Sequence, residues 1–253
     1  MKKNLIILIV MVMAISATSI WAQSTTENLY NFDDGTLMGF VKIYRYDDDP
    51  AAVTSSTDFP AAFPPPSGSY AVECADTDNS YYGLCSAVGG TIFDRTATTF
   101  TSATLEAKIY IVESTSTTEH NFALLAINQG GASSTEAYYR FGYRNGEIYL
   151  HKFNGGSFTT DMVTADTAIP ASNMTIPGWN TFTIQFVGAD TINCWVNGVA
   201  TSFSPVTDTE ASVDPEMQIG VLGFNMTSND PIIVDDLYEK IELGSGVRDW
   251  EFY

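Results

Sequence analysis

The chain reads as an all-β protein, a two-sheet antiparallel sandwich. Three observations point there. Helical periodicity is nearly absent, Thr, Val, Ile, Tyr and Phe alternate with polar residues, and Gly, Asn, Asp and Pro punctuate the short runs between. The clearest stretch is WNTFTIQFVGADTINCWVNGVA, residues 179–200. Phe182, Ile184 and Phe186 share one phase, Ile192, Cys194 and Val196 share another after a Gly-Ala-Asp turn, and Asn197-Gly198 is a turn dipeptide. This predicts a hairpin with one buried face, and it leaves Trp195 on the other.

The chain opens MKKNLIILIVMVMAISATSIWAQ. Lys2 and Lys3 form a positive n-region, residues 4–15 an apolar h-region and residues 16–22 a cleavage region. Residues 1–22 are therefore expected to be a secretory signal peptide, cut after Ala22. The apolar run is short and broken from Ser16, which argues against an uncleaved span. No later stretch is apolar enough to cross a bilayer, so no membrane insertion is expected after cleavage. Residues 23–253 are expected to form a single β-sandwich domain, exported to an extracellular or periplasmic space.

Strands are predicted over 29–32, 38–44, 70–75, 104–112, 121–127, 137–144, 147–153, 181–187, 191–197, 216–224 and 232–243. Residues 47–68, DDDPAAVTSSTDFPAAFPPPSG, read as a long Pro- and Asp-rich loop inside the domain. No repeat is visible. In AYYRFGYRNGEIYLHKF, residues 137–153, the turn Asn145-Gly146 fixes a register. Arg144 meets Glu147, Tyr143 meets Ile148 and Phe141 meets Leu150, with the last two pairs on the core face. Gly142 meets Tyr149, Arg140 meets His151 and Tyr138 meets Phe153 on the opposite face.

The chain has 11 basic and 30 acidic residues, and loss of Lys2 and Lys3 leaves 9 basic residues against the same 30, a net charge of −21. Such a surface repels nucleic acid and anionic lipid, attracts divalent cations and suits neutral ligands. Cys74 and Cys85 flank a short turn-rich segment and could bridge in an oxidising compartment. Cys194 sits on the inward phase of its strand as a small hydrophobe. There is no G-x-S-x-G and no Gly-rich loop before a helix, which excludes a serine-hydrolase elbow and a nucleotide loop. Asp76–Ser80 has oxygen ligands at alternate positions but lacks the Gly and distal Glu of an EF-hand.

Tyr138, Arg140, Tyr149 and His151 form an outward patch, with Trp195 expected on the same sheet. Aromatic rings stack on the apolar faces of sugars, while Arg and His bond their hydroxyls. A polysaccharide or glycan is the partner this patch suits.

NFDDGTLMGF, SGSYAVE, WNTFTIQFVGADTINCWVNG and IIVDDLYEKIEL, taken in that order, resemble the concanavalin A-like lectin/glucanase superfamily, including laminin G-like domains and related carbohydrate-binding modules. The resemblance implies a jelly roll of two curved antiparallel sheets whose concave sheet often holds saccharide. Related modules often pair their terminal strands and hold a structural calcium there, which would place Asp33, Asp34 and Asp235 as ligands. Asp235 shares its phase with Ile233, Leu237 and Ile241, where a carboxylate is costly unless paired or metal-bound. The E-x-D-x-x-E strand of laminarinase-like glycosidases is missing. Glu106 and Glu113 fall on opposite strand faces about 23 Å apart, too far to flank one glycosidic bond. YYRFGYRNG is similar to the Tyr-Phe-Lys-Ala-Gly strand of alginate lyases, but their Arg-x-Glu-x-Arg and Gln-x-His motifs have no match. The expected function is a secreted, non-catalytic carbohydrate-binding or surface-recognition module. The alternatives are a structural cell-surface or matrix protein and a polysaccharide-degrading lyase or glycosidase on the same fold.

Overall fold

The computed structural model describes residues 23–36, 38–44, 52–55, 65–66, 68–74, 84–111, 121–127, 138–144, 147–154, 157–158, 173–208, 216–224 and 232–244. The expected signal segment, most of 47–68, Asp76–Ser80, Glu113 and the Asn145-Gly146 turn lie outside them. The described strands are β1 (Ser24–Tyr30), β2 (Val41–Tyr44), β3 (Ala52–Ser55), β4 (Tyr70–Cys74), β5 (Leu84–Val88), β6 (Phe93–Asp94), β7 (Phe100–Ile111), β8 (Asn121–Ile127) and β9 (Tyr138–Arg144). They continue as β10 (Glu147–Asn154), β11 (Ser157–Phe158), β12 (Gly178–Val187), β13 (Thr191–Val196), β14 (Val199–Ala200), β15 (Val206–Thr207), β16 (Glu216–Phe224) and β17 (Ile232–Leu243). No helix among the described residues is long and apolar enough to cross a membrane.

Two antiparallel sheets face each other. The first runs β14-β13-β12-β7-β17-β4-β3, with β1 beside β17 and β15 beside β13. The second runs β11-β10-β9-β8-β16-β5-β2, with β6 beside β16. The core lies between them because each sheet turns one alternate set of apolar side chains inward. Phe182, Ile184, Phe186, Ile192, Cys194 and Val196 are fully buried from the first sheet, and Tyr139, Phe141, Ile148 and Leu150 from the second. Rings interlock edge to face across the gap, Phe141 with Phe182 at 5.6 Å and Tyr139 with Phe186 at 5.3 Å.

The turn chemistry sets local register. Asn197 and Gly198 both take positive φ, 50° and 77°, which joins β13 to β14 with a two-residue reversal. Every pair expected of the 138–153 hairpin is present, from Arg144–Glu147 to Tyr138–Phe153.

Six described strands, β3, β5, β6, β11, β14 and β15, have no counterpart in the sequence reading, and β1 starts earlier than expected. Within the stretch read as loop, Ala52–Ser55 pairs with β4 as an edge strand; four residues are too few for alternation to show. The first strand begins at Ser24, earlier than the expected 29–32. Its half-buried positions are Thr26, Asn28 and Tyr30, so no apolar alternation marks it. Asn28 instead meets a buried carboxylate, Glu239, its register partner on β17. Glu239 accepts bonds from Asn28 Nδ2 (2.6 Å), Tyr30 Oη (2.9 Å), Thr91 Oγ1 (2.6 Å) and Thr91 N (3.0 Å). Gly90, at φ 81°, makes room for this carboxylate: a Cβ there would meet Glu239 Oε2 at 2.5 Å.

Candidate functional site

The outer face of β9 and β10 carries part of the expected patch. Alternation that buries Phe141, Tyr143, Ile148 and Leu150 turns Arg140, Tyr149 and His151 the other way. Arg140 Nη2 lies 3.2 Å from His151 Nδ1. A guanidinium can only donate, so this contact requires a neutral imidazole with its proton on Nε2. The Tyr149 and His151 rings are 4.6 Å apart, and the Arg140 guanidinium sits 5.5 Å from the Tyr149 ring centre. Gly142 opposite Tyr149 removes a side chain where the ring lies. Tyr149 is only 2% exposed, so its ring is not an open stacking surface. The Tyr138 side chain lies outside the described residues.

Trp195 is not part of this patch. The expectation of one shared sheet fails because β13 belongs to the first sheet and β9 and β10 to the second. A hairpin's own register says nothing about which sheet it joins, since that depends on long-range pairing. Trp195 and the Arg140–His151 pair therefore point away from each other on opposite sides of the sandwich.

The outer face of the first sheet is a second candidate surface. Register sets Trp195, Thr183 and Glu106 in one row across β13, β12 and β7. Thr183 Oγ1 donates to Glu106 Oε2 at 2.8 Å. The next row along holds Thr181 and Lys108, and Lys108 Nζ pairs with Asp236 Oδ2 at 2.5 Å. Beyond it, Trp179, Tyr110 and Ile233 form a row in which the Trp179 and Tyr110 rings meet edge to face at 5.4 Å. Burial pushes the Tyr110 hydroxyl up to about 12. On the other side of Trp195, Gln185 donates to Thr104 and Asn193 to Gln185. Trp195 and Trp179 are both half-buried. From the register they stand about 13 Å apart along the strand and one ~4.8 Å strand spacing apart across it. The sequence reading missed Trp179, Glu106, Lys108 and Asp236 as one surface. The alternation of Thr181, Thr183 and Gln185 was the available signal, but only the pairing of β12 with β7 brings the rest alongside.

The expected calcium ligands are placed as follows. Asp33 Oδ1 accepts from Ser69 N (3.1 Å) and Oδ2 from Asn31 Nδ2 (2.9 Å). Asp34 Oδ1 accepts from Thr36 N (2.8 Å) and Thr36 Oγ1 (2.7 Å), and the Thr36 bonds hold its carboxyl below the usual carboxylate range. Asp235 does not share a face with Leu237 and Ile241. A β-bulge between Asp235 and Tyr238, with Asp236 at φ 47°, reverses the phase, so Asp235 lies opposite Lys108 while Leu237 and Ile241 enter the core. Among the described residues, no three His, Cys, Asp or Glu side chains converge as a metal would need. The terminal strands β1 and β17 do pair side by side.

Cys74 lies opposite Ile232 in the first sheet, and Cys85 opposite Gly223 and Tyr44 in the second. A bridge between them would join the two sheets. Their thiols lie outside the described residues. Cys194 is buried and unbridged, and burial pushes its thiol pKa up.

No family model and no curated protein sequence matches the chain. Solved structures do. The basic winged bean lectin with Tn-antigen aligns at TM-score 0.59 and 8% identity, covering 87% of this chain and 99% of that one. The Bauhinia forficata lectin in complex with GalNAc aligns at 0.55 and 12%, covering 88% and 100%. A carbohydrate esterase from Shiga toxin-encoding bacteriophage phi24B aligns at 0.51 and 12%, covering 86% and 99%. Identities this low speak to architecture alone. The chain has the concanavalin A-like jelly-roll fold seen in these lectins.

Proposed function

We propose that the chain is a secreted, non-catalytic carbohydrate-binding module whose ligand lies on the outer face of the first sheet, against Trp195. The observation that carries this reading is the half-buried indole set beside the bonded Thr183–Glu106 pair. An indole face takes the apolar side of a sugar ring, and the neighbouring hydroxyl, carboxylate and ammonium groups bond its hydroxyls. The strong negative charge of the chain favours a neutral glycan over a polyuronate. The Arg140–Tyr149–His151 cluster supports the reading less, because its aromatic ring is covered.

A glycan array on the purified chain, followed by titration of the best neutral hit, tests the proposal. Trp195→Ala should weaken binding by roughly 1–3 kcal/mol, the value of a large aromatic contact, with melting almost unchanged. Tyr149→Ala should do the reverse, lowering the melting temperature while leaving affinity intact. Binding that survives Trp195→Ala and vanishes in Tyr149→Ala would move the site to the other sheet.

A structural calcium on Asp33, Asp34 and Asp235 belongs to the same proposal. The bonds from Ser69 and Thr36 leave each carboxylate further lone pairs for a cation, but the three side chains do not converge as they stand, so binding requires Asp33, Asp34 and Asp235 to move together. A melting temperature raised by calcium and lowered by chelator is the expected sign, and no response would remove the metal.

A further inference from the structure

The β-bulge in β17 re-aims an aromatic ring. Before the bulge Asp235 lies opposite Lys108, and an unbroken ladder would set Leu237 opposite Glu106. The extra residue sets Tyr238 there instead. Leu237, Glu239 and Ile241 turn inward, and Tyr238 joins the outer face of the first sheet. Its hydroxyl donates to Glu27 Oε1 on β1 at 2.9 Å. Burial and that bond push the hydroxyl up to about 12, so the ring stays neutral and tethered.

Register then aligns one row across five strands: Trp195 on β13, Thr183 on β12, Glu106 on β7, Tyr238 on β17 and Leu29 on β1. Trp195 and Tyr238 are half-buried, and Leu29 is 55% exposed. The two rings stand three strand spacings apart, roughly 14 Å. Between them Thr183 Oγ1 donates to Glu106 Oε2 at 2.8 Å. The row alongside carries Asn193, Gln185 and Thr104, each bonded to the next. The surface therefore offers a ring toward each end and hydrogen-bonding groups between.

Charge narrows the occupant. Lys108 is held by Asp236 at 2.5 Å and Lys240 by Glu242 at 2.6 Å, so the cations flanking the row already face carboxylates. Glu106 stands in the row itself, and the whole chain carries −19. An anionic polymer meets repulsion there and a neutral one does not. A sugar ring in an extended chain advances about 5 Å, close to one strand spacing of ~4.8 Å. A glycan laid across the strands thus sets one sugar over each of β13, β12, β7 and β17. The end sugars stack on Trp195 and Tyr238, and the inner ones bond to Thr183, Glu106 and the amides alongside.

We infer that the surface takes a run of about four sugars of a neutral, unbranched polysaccharide, lying across the strands from Trp195 to Tyr238. This rests on the carbohydrate reading above and adds to it a length, a direction and a second ring.

Calorimetric titration of the full chain with linear gluco-, manno-, xylo- and galacto-oligosaccharides of one to six residues reads the footprint. In the series that binds, affinity should climb to about the tetrasaccharide and then level off. Tyr238→Ala should weaken the tetrasaccharide about tenfold and leave a disaccharide held at Trp195 unchanged, while Tyr238→Phe keeps the ring and the affinity. Trp195→Ala should weaken every length. A disaccharide that binds as tightly as the tetrasaccharide, or a tetrasaccharide indifferent to Tyr238→Ala, overturns the inference, and continued dependence on Trp195 then leaves the carbohydrate reading standing. Absence of binding in every series removes both. If Tyr238→Ala fails to fold, the length series of the unmodified chain decides the matter.

Discussion

Several tyrosines are placed where the phenolate is disfavoured. Tyr139 is buried beside the Asp208 carboxylate, and burial first, then that carboxylate, push its hydroxyl above the ordinary value of 10. Tyr30 is raised by burial and by its bond to Glu239, and Tyr110 by burial to about 12. In each case the folded chain holds the proton more tightly than the unfolded chain. The resulting stability is complete below pH 10 and is lost as pH rises toward the folded values. Denaturant midpoints measured from pH 9 to 12 should hold steady to about pH 10 and then fall, with tyrosine ionisation tracking the loss. The register in AYYRFGYRNGEIYLHKF puts Tyr139 and Tyr149 on opposite faces, but only the packing shows that the outward ring is covered almost as fully as the inward one.

Among elements, the 138–153 hairpin was fully legible because a two-residue Asn-Gly turn counts the register by itself. β17 was legible as a strand but not in its phase. The bulge after Asp235 inserts a break that no local signal announces, and everything beyond it changes face. This is why Glu239, which looks like a surface acid, is buried and surrounded by donors from Asn28, Tyr30 and Thr91. The 89–92 segment is shaped to that carboxylate. Gly90→Ala should destabilise by about 1–3 kcal/mol, since it forces an L-residue into the left-handed region and presses a methyl on Glu239. Urea unfolding of the variant measures this, and a loss below about half a kcal/mol would mean the segment simply shifts aside.

At the scale of the whole molecule, the two sheets present unlike outer faces, one with a half-buried Arg140 and His151 over a covered Tyr149 and one with a polar carpet flanked by Trp195 and Trp179. The sandwich itself was readable from alternation and turns. The division of residues between its two sides was not, because that is settled by pairings such as β12 with β7 that span many tens of residues. The net charge acts on the molecule as a unit. A neutral glycan should bind with nearly the same affinity at low and high salt, while any polyuronate should gain affinity as salt screens the repulsion. Titrations at two ionic strengths check this, and strong salt weakening of binding would indicate a cationic partner.

The pairing of β1 with β17 also imposes a schedule. Asn28 and Glu239 are 211 positions apart, yet they close one side of the same sheet. During synthesis the early strand is made long before its mate exists. It must wait, unpaired, until β17 has been delivered, and contacts this distant in sequence are slow to form. The polar make-up of Ser24–Asn28, which hid the start of the strand from a reading of alternation, has a use here: a waiting stretch of Ser, Thr, Glu and Asn offers little for other chains to stick to.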